Sequence, residues 1–180
     1  MANKEALREL QSRLAERLQA ARTEARTASW LAVESAGRRF LLPLQDAGEI
    51  FPFSSCVSVP HTSPWFLGVA NLRGGLHGVV DLAAFLGLKA ASVPGADGLR
   101  EQARLIALNP SLDINCALLV ERLAGLRSRD QLQPADDGVD ERAARPGFVG
   151  KRLRDAQGRV WQELHLAALA RDEAFLRIVG

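Results

Sequence analysis

The sequence predicts a mainly β fold, a body of two small packed barrels preceded by one amphipathic helix. Three observations carry this expectation. First, a leucine stripe at helical spacing ends near residue 28, after which short apolar runs separated by turn residues take over. Second, the two halves of the body rhyme: Phe66-Leu67-Gly68 with Leu82-Ala83-Ala84-Phe85 matches Phe148-Val149-Gly150 with Leu166-Ala167-Ala168-Leu169. Third, 180 residues at 47% hydrophobic can bury one good core or two small adjoining ones. A repeat of hairpins closed by short helices suggests two related barrels, each too small to stand well alone, and therefore a shared apolar seam between them.

The helix is expected over residues 4–28, a stretch without Pro or Gly in which Leu7, Leu10, Leu14 and Leu18 are continued by Ala21 and Ala25. Asn3 suits the N-cap, Glu5 the positive end of the dipole, and Arg22 and Arg26 the negative end. At 1.5 Å per residue it would run about 36 Å, more than a lid on a small barrel needs. The stripe is expected to pack on the chain's own body; the alternative is that part of it docks a partner helix or a second copy. Residues 1–28 are read as one unit and 29–180 as another, the latter holding two lobes divided roughly at 89–100.

Within the body, 30–35 and 39–44 read as a hairpin about Ala36-Gly37, and 57–59 as a short strand stopped by Pro60. A loop follows at 61–64, then a hairpin of 67–72 and 76–81 about Arg73-Gly74-Gly75. A short helix over 82–86 stops at Gly87, and 89–98 is a loop rich in Ala, Gly and Pro. The second half repeats the scheme: 103–108 and 114–121 about Asn109-Pro110-Ser111, an acidic irregular loop at 134–146, and 148–154 with 159–164 about Asp155-Ala156-Gln157-Gly158. Helical residues 166–170 and 175–178 close the chain.

Composition excludes several classes of function. No run of about 18 apolar residues occurs, and Asn3, Lys4 and Glu5 open the chain in place of an apolar signal segment, so direct membrane insertion is not expected and the cytoplasm is. Cys56 and Cys116 have no C-x-x-C spacing and read as buried reduced thiols. A net charge of +2 comes from 23 basic against 21 acidic residues, too even for a phosphate-tracking surface. Tyr is absent, and the three Trp and seven Phe lie in apolar runs as core, so nucleic acid is not an expected partner.

Catalytic chemistry finds no constellation either. His61, His77 and His165 share no metal-ligand spacing with one another or with either cysteine, so neither a metal nor a cofactor is implied. Gly74-Gly75-Leu76-His77-Gly78 lies in a hairpin where a phosphate cradle would need to precede a helix. Asp136 and Asp137 sit on a loop beside Gly138, where paired carboxylates are ordinarily solvated, and Asp81 reads as the N-cap of the helix after it. No catalytic residue is assigned, and the chain is read as a non-enzyme.

One segment is specific. Phe66-Leu67-Gly68-Val69-Ala70-Asn71-Leu72-Arg73-Gly74, followed by Val79-Val80-Asp81-Leu82 and the short helix to Gly87, resembles the pattern of CheW-type coupling domains. Upstream, Phe40-Leu41-Leu42-Pro43-Leu44, Glu49-Ile50 and the loop at 60–64 fall where that family places its first-barrel strands and proline loop. Downstream, Leu118-Leu119-Val120-Glu121 with Leu123-Ala124-Gly125-Leu126 resembles the family's second-barrel strand and its Val-Asp-x-Val-x-x-Val segment. The likeness spans about 30–169. Gly75, Gly78, Ala47 and the long N-terminal helix depart from the commoner pattern and point toward the twitching-motility branch of the family.

The resemblance implies two five-stranded barrels of the Src-homology type acting as an adaptor. One face would dock the hairpin tip of a chemoreceptor, and another the regulatory domain of a CheA-like histidine kinase. Asn71, Leu72, Arg73 and Gly74 fall on the turn that the family uses for partner contact. A guanidinium there suits a partner carboxylate or carbonyl; otherwise Arg73 is a solvated turn residue. Glu49, Ile50 and Val69 are the further expected partner contacts, the two apolar ones lining a groove between the barrels, or else serving as ordinary core. A barrel that binds a small molecule or nucleic acid is the alternative reading.

Overall fold

The computed structural model describes residues 2–90, 99–136 and 145–180 and, within the N-terminal helix, the side chains of 5–20, 22 and 23. Helix α1 (Ala2–Thr27) leads into strands β1 (Ala28–Ser35), β2 (Arg38–Pro43) and β3 (Ala47–Pro52). The hairpin β4 (Phe66–Leu72) and β5 (Gly75–Asp81) is followed by the one-turn helix α2 (Leu82–Phe85). After α3 (Leu99–Gln102) come β6 (Arg104–Leu108), a 3-10 turn (Pro110–Leu112), β7 (Cys116–Val120), β8 (Arg122–Ser128) and a second 3-10 turn (Arg129–Gln131). The short β9 (Leu132–Pro134), the hairpin β10 (Val149–Asp155) and β11 (Val160–Leu164), and helices α4 (Leu166–Leu169) and α5 (Glu173–Leu176) complete the chain.

The strands form a six-stranded sheet, β8-β1-β2-β11-β10-β9, and a five-stranded sheet, β3-β6-β7-β5-β4. The expected count of five and five becomes six and five through β9. Two parallel pairings, β5 with β7 and β11 with β2, stitch sequence-distant halves together. The stretch 89–100 does not part the two sheets, because β6 and β7 lie beyond it and still join β3, β4 and β5. The repeat seen in the sequence has its structural counterpart: each hairpin, β4-β5 and β10-β11, runs into a four-residue helix.

Strand alternation explains why the central strands read as unbroken apolar runs. In β7, Cys116, Leu118 and Val120 point into a cluster shared by both sheets, while Ala117 and Leu119 point into a cluster private to the five-stranded sheet. In β1 and β2, Leu31, Val33, Phe40 and Leu42 face the shared cluster, and Ala32 and Leu41 join Trp161 and Leu153 on the private side of the other sheet. Both faces are dry, so neither can be polar. The shared cluster is the expected seam, plugged at its end by Trp65, Phe85, Phe148 and Phe175, with Trp65 edge-on to Phe85 at 5.1 Å between ring centroids.

Among the described residues three buried polar side chains interrupt this core, Ser35, Asp81 and Asp155. Asp81 caps α2 by accepting from the Ala84 N–H at 3.2 Å, as its place before the helix predicts. Asp155 accepts from the Trp161 indole at 3.0 Å, from the Arg159 backbone at 2.9 Å and from Arg159 Nε at 2.7 Å. Burial pushes the Asp155 carboxyl up. The bonds from Trp161 and from the backbone and side chain of Arg159, with the Arg159 charge, outweigh this and hold it at about 2.

Several expectations are corrected here. The strand expected at 57–59 shrinks to one bridge between Val57 and Val69, and the chain instead forms β3, with β8 and β9 as further strands that the apolar pattern did not mark. The leucine stripe of α1 does not pack at home: Leu7, Leu10, Leu14 and Leu18 are 53–63% exposed. Cys116 is buried, which pushes its thiol up to about 12, but Cys56 is only half-buried. Asp137, Gly138 and the greater part of the loops at 89–98 and 134–146 lie outside the described residues.

Candidate functional site: the β4–β5 hairpin tip

The tip of the β4–β5 hairpin is built by a two-residue turn. Leu72 pairs with Gly75 across it, leaving Arg73 and Gly74 as the central residues, with φ of 50° and 81°. Two positive φ values match the twist of the flanking strands, the reason Asn-Gly and Gly-Gly are the usual choices there. Gly74 meets this demand without strain, whereas Arg73 is held in a conformation that costs a non-glycine residue about 1–2 kcal/mol. The Asn71 carboxamide accepts from the Gly74 N–H at 2.8 Å and closes the turn.

The strained residue makes a contact that the backbone order alone would not suggest. Arg73 Nη2 lies 2.8 Å from Glu49 Oε1, yet β4 and β3 are the two opposite edges of the five-stranded sheet. The sheet therefore coils around its private cluster until its edges approach, which is the closed arrangement expected of a barrel. Two devices shape this region. An extra residue in β3 between the Ala47–Leu108 and Ile50–Ile106 pairs makes a bulge that leaves both Glu49 and Ile50 exposed. In β4, Gly68 stands at φ 137°, where an added Cβ would lie 2.1 Å from the Val57 carbonyl oxygen, so only glycine admits the Val57–Val69 bridge.

The seven residues expected at the partner surface do not all reach it. Arg73 is 76% exposed in its side chain, and Asn71, Gly74, Glu49 and Ile50 are exposed as well. Leu72 is buried against the private cluster, so it anchors the turn from beneath. Ile50 is the cross-strand partner of Ile106, a member of the shared cluster, but is itself exposed; Val69 is half-buried on the face opposite Ala70 and Leu72. The structure adds Leu76, the cross-strand partner of Asn71, which is 63% exposed. No alternation marked it in the sequence, since its neighbours Gly75 and His77 are themselves only half-buried. The tip thus brings a charged pair, an amide and an apolar side chain together on one exposed surface.

A second feature is an open groove of about 900 Å³ whose walls bring together Arg38, Arg39, Arg145, Arg152 and Arg159. Arg39 Nε is buried without a hydrogen-bond partner, and its carboxylate neighbour Glu34 at 3.7 Å is also held by Arg122. The aromatic in this groove, Phe40, is buried, so its ring face is not open to a stacking base.

Compared with known proteins, residues 29–174 match the CheW-like domain family. The chain belongs to that family. It is 28% identical over 172 residues to protein PilI of Pseudomonas aeruginosa, an alignment covering 92% of this chain and 88% of that protein. It is also 34% identical over 61 residues to a probable chemotaxis protein CheW of Rhizobium etli, covering 34% of this chain and 39% of that one. Among solved structures, the scaffolding protein TtCheW of Thermoanaerobacter tengcongensis superposes with a TM-score of 0.59 at 18% identity, over 78% of this chain and 92% of that chain, a likeness of fold. The CheW-like body of this chain thus covers the span where the sequence pattern placed it, and PilI is a relative of the kind that the departures from the common pattern suggested.

Proposed function

We propose that this CheW-like chain is a non-enzymatic, cytoplasmic adaptor. It joins the hairpin tips of methyl-accepting chemoreceptors to the regulatory domain of a CheA-like histidine kinase, in an array that controls type IV pilus twitching. The observation that carries this reading is the strained, exposed Arg73 on a rigid two-residue turn, oriented by Glu49 and flanked by Asn71 and Leu76. A backbone held at that cost around an outward guanidinium suits recognition, since Arg presents a fixed fork of donors to a partner. Similarity to PilI supports the pilus-linked output. No helix among the described residues is long and apolar enough to cross a membrane, so contact with receptors would be made through their protein surface.

The test is direct binding. The purified chain should co-migrate with the regulatory domain of a CheA-like kinase on a sizing column, without added ligand and insensitively to nuclease. It should neither hydrolyse nucleotide nor take phosphate from the phosphorylated kinase. Stoichiometric phosphate labelling, or co-migration only with nucleic acid, would overturn the adaptor reading.

A further inference from the structure

Helix α1 carries a surface that the hairpin tip does not explain. At 100° per residue, Leu7, Leu10, Leu14 and Leu18 fall within an arc of about 80°. All four leucines are more than half exposed. Arg17 borders this arc on one side, and Arg22 and then Arg8 follow on the other, while Glu5, Glu9 and Glu16 cluster on the opposite side of the cylinder. Arg13 is drawn toward the far side by its 3.4 Å pair with Glu9, whereas Arg8, Arg17 and Arg22 make no ion pair among the described residues. Among the described side chains of α1 the acids therefore lie opposite the leucines, while Arg17 and Arg22 border the stripe and Arg8 lies between the two. The helix precedes the 29–174 domain, yet the alignment with PilI covers more of the chain than that domain and its C-terminal extension occupy, so part of α1 is shared with that relative.

We infer that α1 is a second docking element, whose leucine stripe receives an amphipathic partner helix flanked by aspartates and glutamates. The charges decide between the possible occupants. In a helix pair the residues beside the apolar seam select the partner, and like charges brought together there are destabilising. A second copy of α1 laid parallel along the stripe would set Arg17 against Arg22 of its twin, whereas an acid-flanked helix pairs with both. An anionic membrane would also attract the arginines, but the stripe is narrower than the apolar face of a surface-lying helix and has no aromatic anchor. This inference is independent of what the β4–β5 tip binds.

The test uses the full-length chain and two synthetic helical peptides matched in length and leucine spacing, one flanked by glutamates and the other by lysines. Titrated by fluorescence anisotropy at low salt, the glutamate-flanked peptide is expected to bind at least about tenfold tighter than its twin, a difference of about 1.4 kcal/mol. Leu14→Glu should abolish binding of the glutamate-flanked peptide. Replacing Arg8, Arg17 and Arg22 together by Glu should invert the preference, with β-sheet circular dichroism unchanged in both variants. Equal affinity for the two peptides would overturn the inference. So would stronger partitioning to phosphatidylglycerol vesicles than to the acidic peptide, or a dimer in sedimentation velocity that Leu14→Glu dissolves.

Discussion

Arg73→Gly separates recognition from folding at the hairpin tip, because it removes the guanidinium while easing the backbone. Arg73 sits at φ 50°, which glycine adopts freely, so the substitution relieves about 1–2 kcal/mol of strain. Against this stand the lost 2.8 Å pair with Glu49 and the extra freedom of glycine in the unfolded chain. With the two side chains 76% and 42% exposed, the pair contributes only about 0.2–1 kcal/mol, and the added freedom costs about 0.4–1 kcal/mol. The terms nearly cancel. Melting followed by circular dichroism should move by no more than about 2–4 °C for a chain of this size. If Arg73 is an anchor of the interface, its loss should weaken binding of the kinase regulatory domain or of the receptor tip by about 2 kcal/mol, roughly thirtyfold, measured by isothermal titration. Exchanging the charges, Arg73→Glu with Glu49→Arg, rebuilds the internal pair but presents the wrong charge outward, so binding should stay weak. Unchanged affinity for both partners in Arg73→Gly, or full recovery in the exchanged pair, would refute a direct contact by Arg73.

Three further outcomes are expected. Asp155→Asn removes a charged acceptor from Trp161 and Arg159 and should lower stability by roughly 2–4 kcal/mol at pH 7, read from denaturant midpoints. Because the folded carboxyl is held at about 2, below the usual unfolded value, this contribution should be complete above roughly pH 5 and fade as pH falls through about 2, so that wild type and variant converge in acid. Gly68→Ala puts a methyl 2.1 Å from the Val57 oxygen and should cost at least about 2 kcal/mol in thermal melts, whereas the same change at Gly147, with open space around it, should have little effect. Deleting residues 1–28 should leave a β-rich protein that still binds the kinase domain but no longer the acidic peptide; an insoluble or unfolded product would show that α1 is needed by the body.

What the sequence determined by itself follows from burial on two faces. The strands β1, β2, β5, β6 and β7 each lie between a private cluster and the shared one, so their inner positions are consecutive apolar residues and the runs are visible without any structure. Asp81 as a cap and a turn about Arg73-Gly74-Gly75 were likewise legible, because a helix start and a hairpin impose local chemistry, although pairing of Leu72 with Gly75 makes the turn one residue shorter than the sequence suggested. The strands that escaped the pattern, β3, β8 and β9, are all sheet edges. An edge strand needs only one paired side and tolerates bulges, Pro and polar residues, so β3 carries Gly48 and Pro52, β8 bends at Gly125, and β9 is three residues long. Tertiary structure alone decided that Glu49 meets Arg73, since the two lie on opposite edges of one sheet and are brought together only when it closes. It also decided that Leu72 turns inward, Leu76 outward, and the leucines of α1 away from the body. Periodicity reveals which residues share a face; what covers that face depends on contacts between segments far apart in the chain.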